Sequence, residues 1–193
     1  MPVRVVGPRD PNVPHAINTT SRATGWSRGL SPFFVGPVEI CEGVVAHNVE
    51  NAWQFAKVYP AHVDAQGEPT HEYWDWAMAG WTDSFAHRYP MGRGAVPLFS
   101  IWDGRKLSYI EARRQLYLPI YAAAVARTEA YSRLYDLHQA GEEIVLWDFD
   151  GYDHLAMGRT LAEVVADPTR KCGHAFVLAM MLDGCIDAII AGG

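Results

Sequence analysis

The stretch His47-Asn48-Val49-Glu50-Asn51-Ala52-Trp53-Gln54-Phe55-Ala56-Lys57-Val58-Tyr59 organises the chain. At about 100° per residue, Glu50, Gln54 and Lys57 fall at i, i+4 and i+7 on one narrow strip of a helix, and the apolar residues of the segment fill most of the remaining circumference. A surface helix carries a broad polar face. A strip pinned between apolar residues instead fits a short, mostly buried helix whose carboxylate, amide and ammonium look into a cleft. The competing reading places Glu50 and Lys57 on a solvated edge. Asn48 is the expected N-cap and Pro60 the expected stop.

Upstream of this helix, Val3 to Val6 reads as a short strand, followed by an irregular segment set by Pro8, Pro11 and Pro14. Asn18 to Gly29, rich in Ser, Thr and Arg, reads as a loop. Its hydroxyl and guanidinium groups either grip a phosphate or carboxylate or are simply solvated. Phe33 to Val35, Val38 to Ile40 and Val44 to Ala46 read as extended segments with a turn at Glu42-Gly43, a hairpin that delivers the chain into the central helix.

Downstream, Thr70 opens a helix from His71 to about His87 whose aromatic residues are too many for one face and belong to the core or a pocket lining. Met91 to Gly94 is a turn containing Arg93, and Val96 to Trp102 a strand closed by Asp103-Gly104. Ser108 and Glu111 form a capping box, Pro119 kinks or breaks the helix that follows, and Gly141 stops a second helix. Ile144 to Trp147 is a buried strand emptying into Asp148-Phe149-Asp150-Gly151-Tyr152-Asp153. That acidic cluster is either a site at a strand end or a turn, and no Glu completes a calcium-loop pattern. Helices from Leu155 to Ala166 and from about Arg170 to Leu182 follow, with an unstructured or docked terminus at Ile189 to Gly193.

With 193 residues, 49% of them hydrophobic, and seven tryptophans, the chain suffices for one well-cored domain spanning 1–193. The expected class is α+β, a mainly helical single domain with a small antiparallel β element drawn from the early hairpin and the strands near Phe99 and Val145. A net charge of -6 argues against sequence-independent binding to duplex nucleic acid. Cys41, Cys172 and Cys185 are widely spaced and suit buried thiols in a reducing compartment. Lys171, Cys172 and His174 are too sparse to serve as metal ligands, so no metal and no cofactor are expected. Met1-Pro2-Val3-Arg4 lacks the pattern of a signal peptide, and the seven-residue apolar run Phe176 to Leu182 is far short of the roughly 20 residues that span a bilayer. No membrane association and a cytoplasmic location are therefore expected.

Leu30-Ser31-Pro32-Phe33, Glu42-Gly43 and Val49-Glu50-Asn51-Ala52-Trp53-Gln54-Phe55-Ala56-Lys57, taken in order and spacing, resemble the N-terminal half of the NADAR (YbiA-like) N-glycosidases. That family carries Phe-Ser-Asn-Phe, Asp-Gly and a Val-Glu-His-Tyr-Phe-Gln-x-x-Lys helix. Met157-Gly158-Arg159-Thr160-Leu161 is similar to its later Leu-Gly-x-x-Leu helix start. Pro32 stands where the family has Asn, and the family's Trp-Gly segment has no clear counterpart.

The resemblance implies a YbiA-like fold and hydrolysis of an N-glycosidic bond between ribose and a base or amine. The substrate would be a small nucleotide or an ADP-ribosylated compound, with nucleic acid involved only as a modified substrate. Such a reaction passes through an oxocarbenium-like state and needs a carboxylate beside the ribose carbon and a base to activate water. The resemblance casts Glu50 as the carboxylate, Lys57 as its electrostatic partner and Gln54 as a contact to ribose or base. Ser31 and Phe33 would border the pocket, with Phe33 or Trp53 stacking on the base. Arg22, with Arg28, would bind phosphate, Arg159 would contact the substrate, and one of Asp148, Asp150 or Asp153 would assist the water. Two other classes compete with this reading: a binding module that holds the same ligand without turnover, and a structural or interaction protein.

Overall fold

In the computed structural model, which describes residues 2–192, the chain begins with two short strands, β1 (Arg4–Val6) and β2 (Ile17–Asn18). The hairpin β3 (Val38–Cys41) and β4 (Val44–Ala46) leads into helix α1 (Val49–Phe55), which is followed at once by strand β5 (Lys57–Val58). Helix α2 (His71–Thr82) precedes a second hairpin, β6 (Phe99–Trp102) and β7 (Arg105–Leu107). Helices α3 (Tyr109–Ala112), α4 (Leu118–Val125) and α5 (Glu129–Gln139) then lead to strand β8 (Val145–Trp147). Helices α6 (Leu161–Ala166), α7 (His174–Leu182) and α8 (Ile186–Ala191) complete the described residues. The class is mixed α+β. Among the described residues no helix is long and apolar enough to cross a membrane.

The sheets differ from expectation in two respects: the early hairpin and the Phe99 strand belong to separate antiparallel sheets, and the Val145 strand belongs to a third sheet that is parallel. β3 and β4 pair antiparallel, as do β5, β6 and β7, but β8 lies between β1 and β2 and runs parallel to both, with Leu146 opposite Val5 on one side and Ile17 on the other. The Val145 strand therefore does not extend an antiparallel element. Its fully buried Leu146, facing the equally buried Val5, suits a parallel sheet covered on both faces. β5 also shortens the central helix. Lys57 and Val58 pair with Ser100 and Phe99, and the Ala56 carbonyl accepts from Ile101 N at 2.8 Å, so sheet pairing ends the helical run before Pro60 is reached. Phe33 to Val35 is not extended either. Phe34 N and Val35 N both donate to the Ser31 carbonyl, at 2.9 and 3.1 Å, in a turn whose second residue is Pro32.

Pro119 does not break its helix. A π-helical turn over Arg113–Tyr117 precedes α4, with Leu118 N donating to the Arg113 carbonyl. The longer repeat absorbs the donor that proline lacks. The interruption falls instead at Ala126–Thr128, where the Thr128 hydroxyl caps α5 by accepting from Tyr131 N at 3.1 Å. The Ser108–Glu111 capping box forms as read. A second box, Thr160–Glu163, starts α6 later than Leu155, because the turns ending at Gly158, with φ of 66°, occupy the preceding residues. α2 ends at Thr82 rather than His87, and α7 begins at His174 rather than Arg170. The terminal segment is helical as α8, whose isoleucines 186, 189 and 190 pack on the core. Met1 of the N-terminal segment and Gly193 of the terminal diglycine lie outside the described residues.

One cluster of buried apolar side chains draws on α1, α2, α4, α7 and the β1–β8 strands. Within it Arg113, 1% exposed, donates to the carbonyls of Val165 at 3.1 Å, Asp167 at 2.7 Å and Arg170, and to the Tyr109 hydroxyl at 2.8 Å. It thereby satisfies carbonyls at the end of α6 that have no partner within the helix. Each carbonyl stranded by its loss costs about 1–3 kcal/mol. Arg113→Met is expected to lower stability by about 3 kcal/mol or more, read as a lower urea midpoint at unchanged slope. A midpoint equal to wild type would show that water takes over these carbonyls.

Candidate functional site

The polar stripe survives the shortening of its helix. The Asn48 side chain caps α1 by accepting from Asn51 N at 2.8 Å, which sets the rotation of the first turn. Glu50 and Gln54 then share one side, and Gln54 Nε2 donates to Glu50 Oε1 at 2.9 Å. Lys57, now on β5, still reaches back, its Nζ donating to Gln54 Oε1 at 2.7 Å and lying 4.6 Å from the centre of the Trp53 ring. Glu50 Oε2 takes no hydrogen bond from the described residues. These side chains line a cleft of about 690 Å³, within the size range of small-molecule sites. Its other walls come from Ser31, Tyr117, the 88–97 segment, the loop after β8 and the start of α7.

Burial governs the chemistry of the stripe. Glu50 is only 7% exposed. Burial pushes its carboxyl above the usual range, against the Gln54 hydrogen bond and the charges of Lys57, Arg88 and His174. Burial also brings the Lys57 ammonium down to about 8, with the Glu50 charge working in the opposite direction. Both groups are thus drawn toward neutral pH, the range in which a carboxylate and an amine can exchange protons with substrate or water.

A second ionic unit lines the same cleft. His174 Nε2 donates to the Thr19 carbonyl at 2.8 Å, and Nδ1 faces Asp148 Oδ2 at 3.2 Å. The Asp148 carboxylate also accepts from the backbone N–H groups of Asp150 and Ala175, at 3.3 and 3.4 Å. A carbonyl on one side and a carboxylate on the other require both ring nitrogens to carry protons, so His174 is an imidazolium paired with an ionised Asp148. Burial opposes both charges. The pairing outweighs it, holding the His174 imidazole above its usual range and the Asp148 carboxyl below its own. Gly173 permits this approach: a Cβ there would lie 2.1 Å from Asp148 Oδ2.

Of the residues singled out in the sequence, Ser31, Glu50, Trp53, Gln54, Lys57, Asp148 and Asp150 line the cleft together. Asp148 is committed to His174, and Asp150 bridges Arg88 Nη2 at 3.0 Å and Lys171 Nζ at 3.1 Å. Asp153 pairs with Arg4 elsewhere. Arg22, Phe33 and Arg159 do not line the cleft. Arg22 lies over the Phe149 ring at 5.3 Å, Arg28 over Phe34 at 4.3 Å, and Arg159 pairs with Asp167 beyond the end of α6. In each case a nearer ring or carboxylate claims the guanidinium.

Arg88, Tyr89, Arg93, Tyr117, Lys171 and His174 line the cleft without having been read as site residues. The turn at Arg93 and the Lys171-Cys172-Gly173-His174 run were visible, but nothing in their spacing links them to α1. Asn51, next to Glu50, shows how the 83–88 segment is brought there. Its side chain donates to the carbonyls of Asp83 and Phe85 at 3.0 and 2.8 Å and accepts from His87 N at 2.9 Å.

No curated protein and no solved structure matches the chain. The matched span of a family model, residues 11–164, contains the α1 stripe, Arg88 and the aspartates after β8 but stops short of Lys171 and His174. On that match over most of its length, the chain belongs to a family of unknown function, DUF6939.

Proposed function

We propose that the protein hydrolyses the N-glycosyl bond between ribose and a base or amine in a nucleotide or ADP-ribose derivative, as the likeness of its stripe to that of the NADAR (YbiA-like) N-glycosidases suggests. The observation that carries this reading is the buried Glu50, linked through Gln54 to Lys57 on the wall of a cleft that also holds Trp53. As the C1′–N bond breaks, its electron pair leaves with the base and positive charge grows on the ribose ring. An ionised Glu50 beside C1′ stabilises that charge where water cannot screen it. Water adds its oxygen to C1′ and yields a proton to Glu50, while the Lys57 ammonium protonates the leaving base. Gln54 holds Glu50 in place and contacts the ribose, and Trp53 stacks on the base. Of the expected buried thiols only Cys172 is buried, Cys41 being exposed and Cys185 half-buried; three cysteines free of disulfides are consistent with a cytoplasmic location.

Chromatography of nucleotides and ADP-ribose derivatives incubated with the protein tests the reading through the appearance of free base. The two perturbed groups also set a pH profile. The rate should climb as Glu50 ionises, at a pH above the ordinary carboxylate range, and decline around pH 8 as Lys57 loses its proton. A rate that stays level through pH 9 would remove Lys57 as the acid.

One observation favours a second reading, a binding module without turnover. Asp148 and Asp150 are both committed to cations, which leaves Glu50 to serve alone as stabiliser and base. A pure binder would show a ligand-dependent rise in melting temperature and no free base.

A further inference from the structure

At the mouth of the cleft three cations converge on one ring. Arg88, Arg93 and Lys171 lie 5.4, 5.6 and 5.9 Å from the centre of Tyr89, in a chain whose net charge is -6. Like charges brought together this closely repel unless an anion lies between them. Asp150 is that anion. Its two oxygens are divided between two of the three cations, Oδ2 to Arg88 and Oδ1 to Lys171.

The Asp150 backbone is pinned, because its N–H donates to Asp148 Oδ1 at 3.3 Å and Gly151 is wedged against Val6, where an added Cβ would lie 2.4 Å from the carbonyl oxygen. The side chain is not pinned in the same way. It is 27% exposed and its partners Arg88 and Lys171 are 33% and 58% exposed, so solvent screens both pairs in part, the Lys171 pair more. A phosphate group carries more charge than a carboxylate and offers three acceptor oxygens, which suits it to a guanidinium and an ammonium held a carboxylate's width apart.

We propose that Arg88 and Lys171, backed by Arg93, form a phosphate subsite, and that the Asp150 carboxylate is an internal anion that a substrate's phosphate displaces. This rests on the nucleotide reading of the cleft and assigns the residues that hold the substrate's phosphate. It also moves the phosphate contact from Arg22 and Arg28 of the Asn18–Gly29 loop to Arg88 and Lys171. Asp150 thereby acts as a competitor for the anion, and its removal strengthens binding.

Calorimetric titration of the full chain with inorganic pyrophosphate tests the exchange, since this probe carries neither base nor glycosyl bond. Wild type should bind it. Lys171→Gln and Arg88→Gln should each weaken binding about tenfold, and Asp150→Asn should tighten it several-fold, with circular dichroism confirming that each variant is folded. Failure of wild type to bind, an unchanged affinity in Lys171→Gln, or an affinity in Asp150→Asn no higher than wild type would overturn the proposal. Titration with AMP and with a short oligoadenylate, each in wild type and Asp150→Asn, identifies the source of the phosphate. Several-fold tightening for AMP supports a free nucleotide, and tightening for the oligomer alone supports a polynucleotide end. The hydrolase reading fails separately. Pyrophosphate binding with this residue dependence but no base release leaves the subsite standing, whereas equal release from adenosine and AMP with no pyrophosphate binding leaves only the hydrolase.

Discussion

Glu50→Gln is expected to cut base release by roughly a thousandfold, within the range lost when a general base or a charge-stabilising group is removed, while the protein melts at the wild-type temperature or slightly above. The thermal half follows from sign. Burial raises the Glu50 carboxyl in the folded state, so above that raised value the folded protein holds an ionised group that is better solvated in the unfolded chain. Glutamine removes that cost and keeps an oxygen to accept from Gln54. A structural carboxylate would behave in the opposite way, with stability lost and chemistry incidental. Full activity in Glu50→Gln would exclude it from the reaction.

The second large effect concerns His174. Removing one partner of a buried ion pair strands the other charge and costs about 3–5 kcal/mol; at 2–4 °C per kcal/mol for a chain of this size, His174→Gln should melt roughly 6–20 °C below wild type. The pH dependence fixes the cause. His174 titrates higher in the folded state than unfolded, so its contribution is complete below the ordinary histidine range and is lost as pH rises through the folded value. Asp148 titrates lower in the folded state, so its contribution is complete above the ordinary aspartate range and is lost as pH falls through the folded value. The pair is strongest between about pH 4 and 6.5. Melting curves across pH 5–9 should show the gap between wild type and His174→Gln narrowing on the alkaline side. A gap that is constant with pH would mean that packing, not charge, is what the histidine supplies.

What could be read in advance follows from the range of the interactions involved. The α1 stripe, the Asn48 cap and the Ser108–Glu111 box are local, written in periodicities of three to four residues, and they form. The parallel arrangement of β1, β8 and β2 was not legible. It joins strands of two and three residues across more than a hundred positions, and nothing in such short apolar runs specifies partner or direction.

The site divides in the same way. Its α1 wall was visible, because Glu50, Gln54 and Lys57 keep their mutual contacts even though Lys57 belongs to a strand. The facing wall was not. Arg88 arrives through the three hydrogen bonds that the Asn51 side chain makes with the backbone of residues 83–87, and His174 through a close approach that only Gly173 allows. Charge points Arg22 toward phosphate and the resemblance makes Arg159 a substrate contact, but a ring and a carboxylate close by in the fold hold them instead.

The most direct test of the central claim is chromatographic detection of free base and free sugar after incubating the wild-type protein with AMP, ADP-ribose and ADP-ribosylated nucleobases, alongside Glu50→Gln as the matched control. The account predicts equimolar base and sugar from at least one of these with wild type and neither above background with the variant. Ligand-induced thermal stabilisation of both proteins with no product from either would contradict it and leave a cleft that binds without cutting.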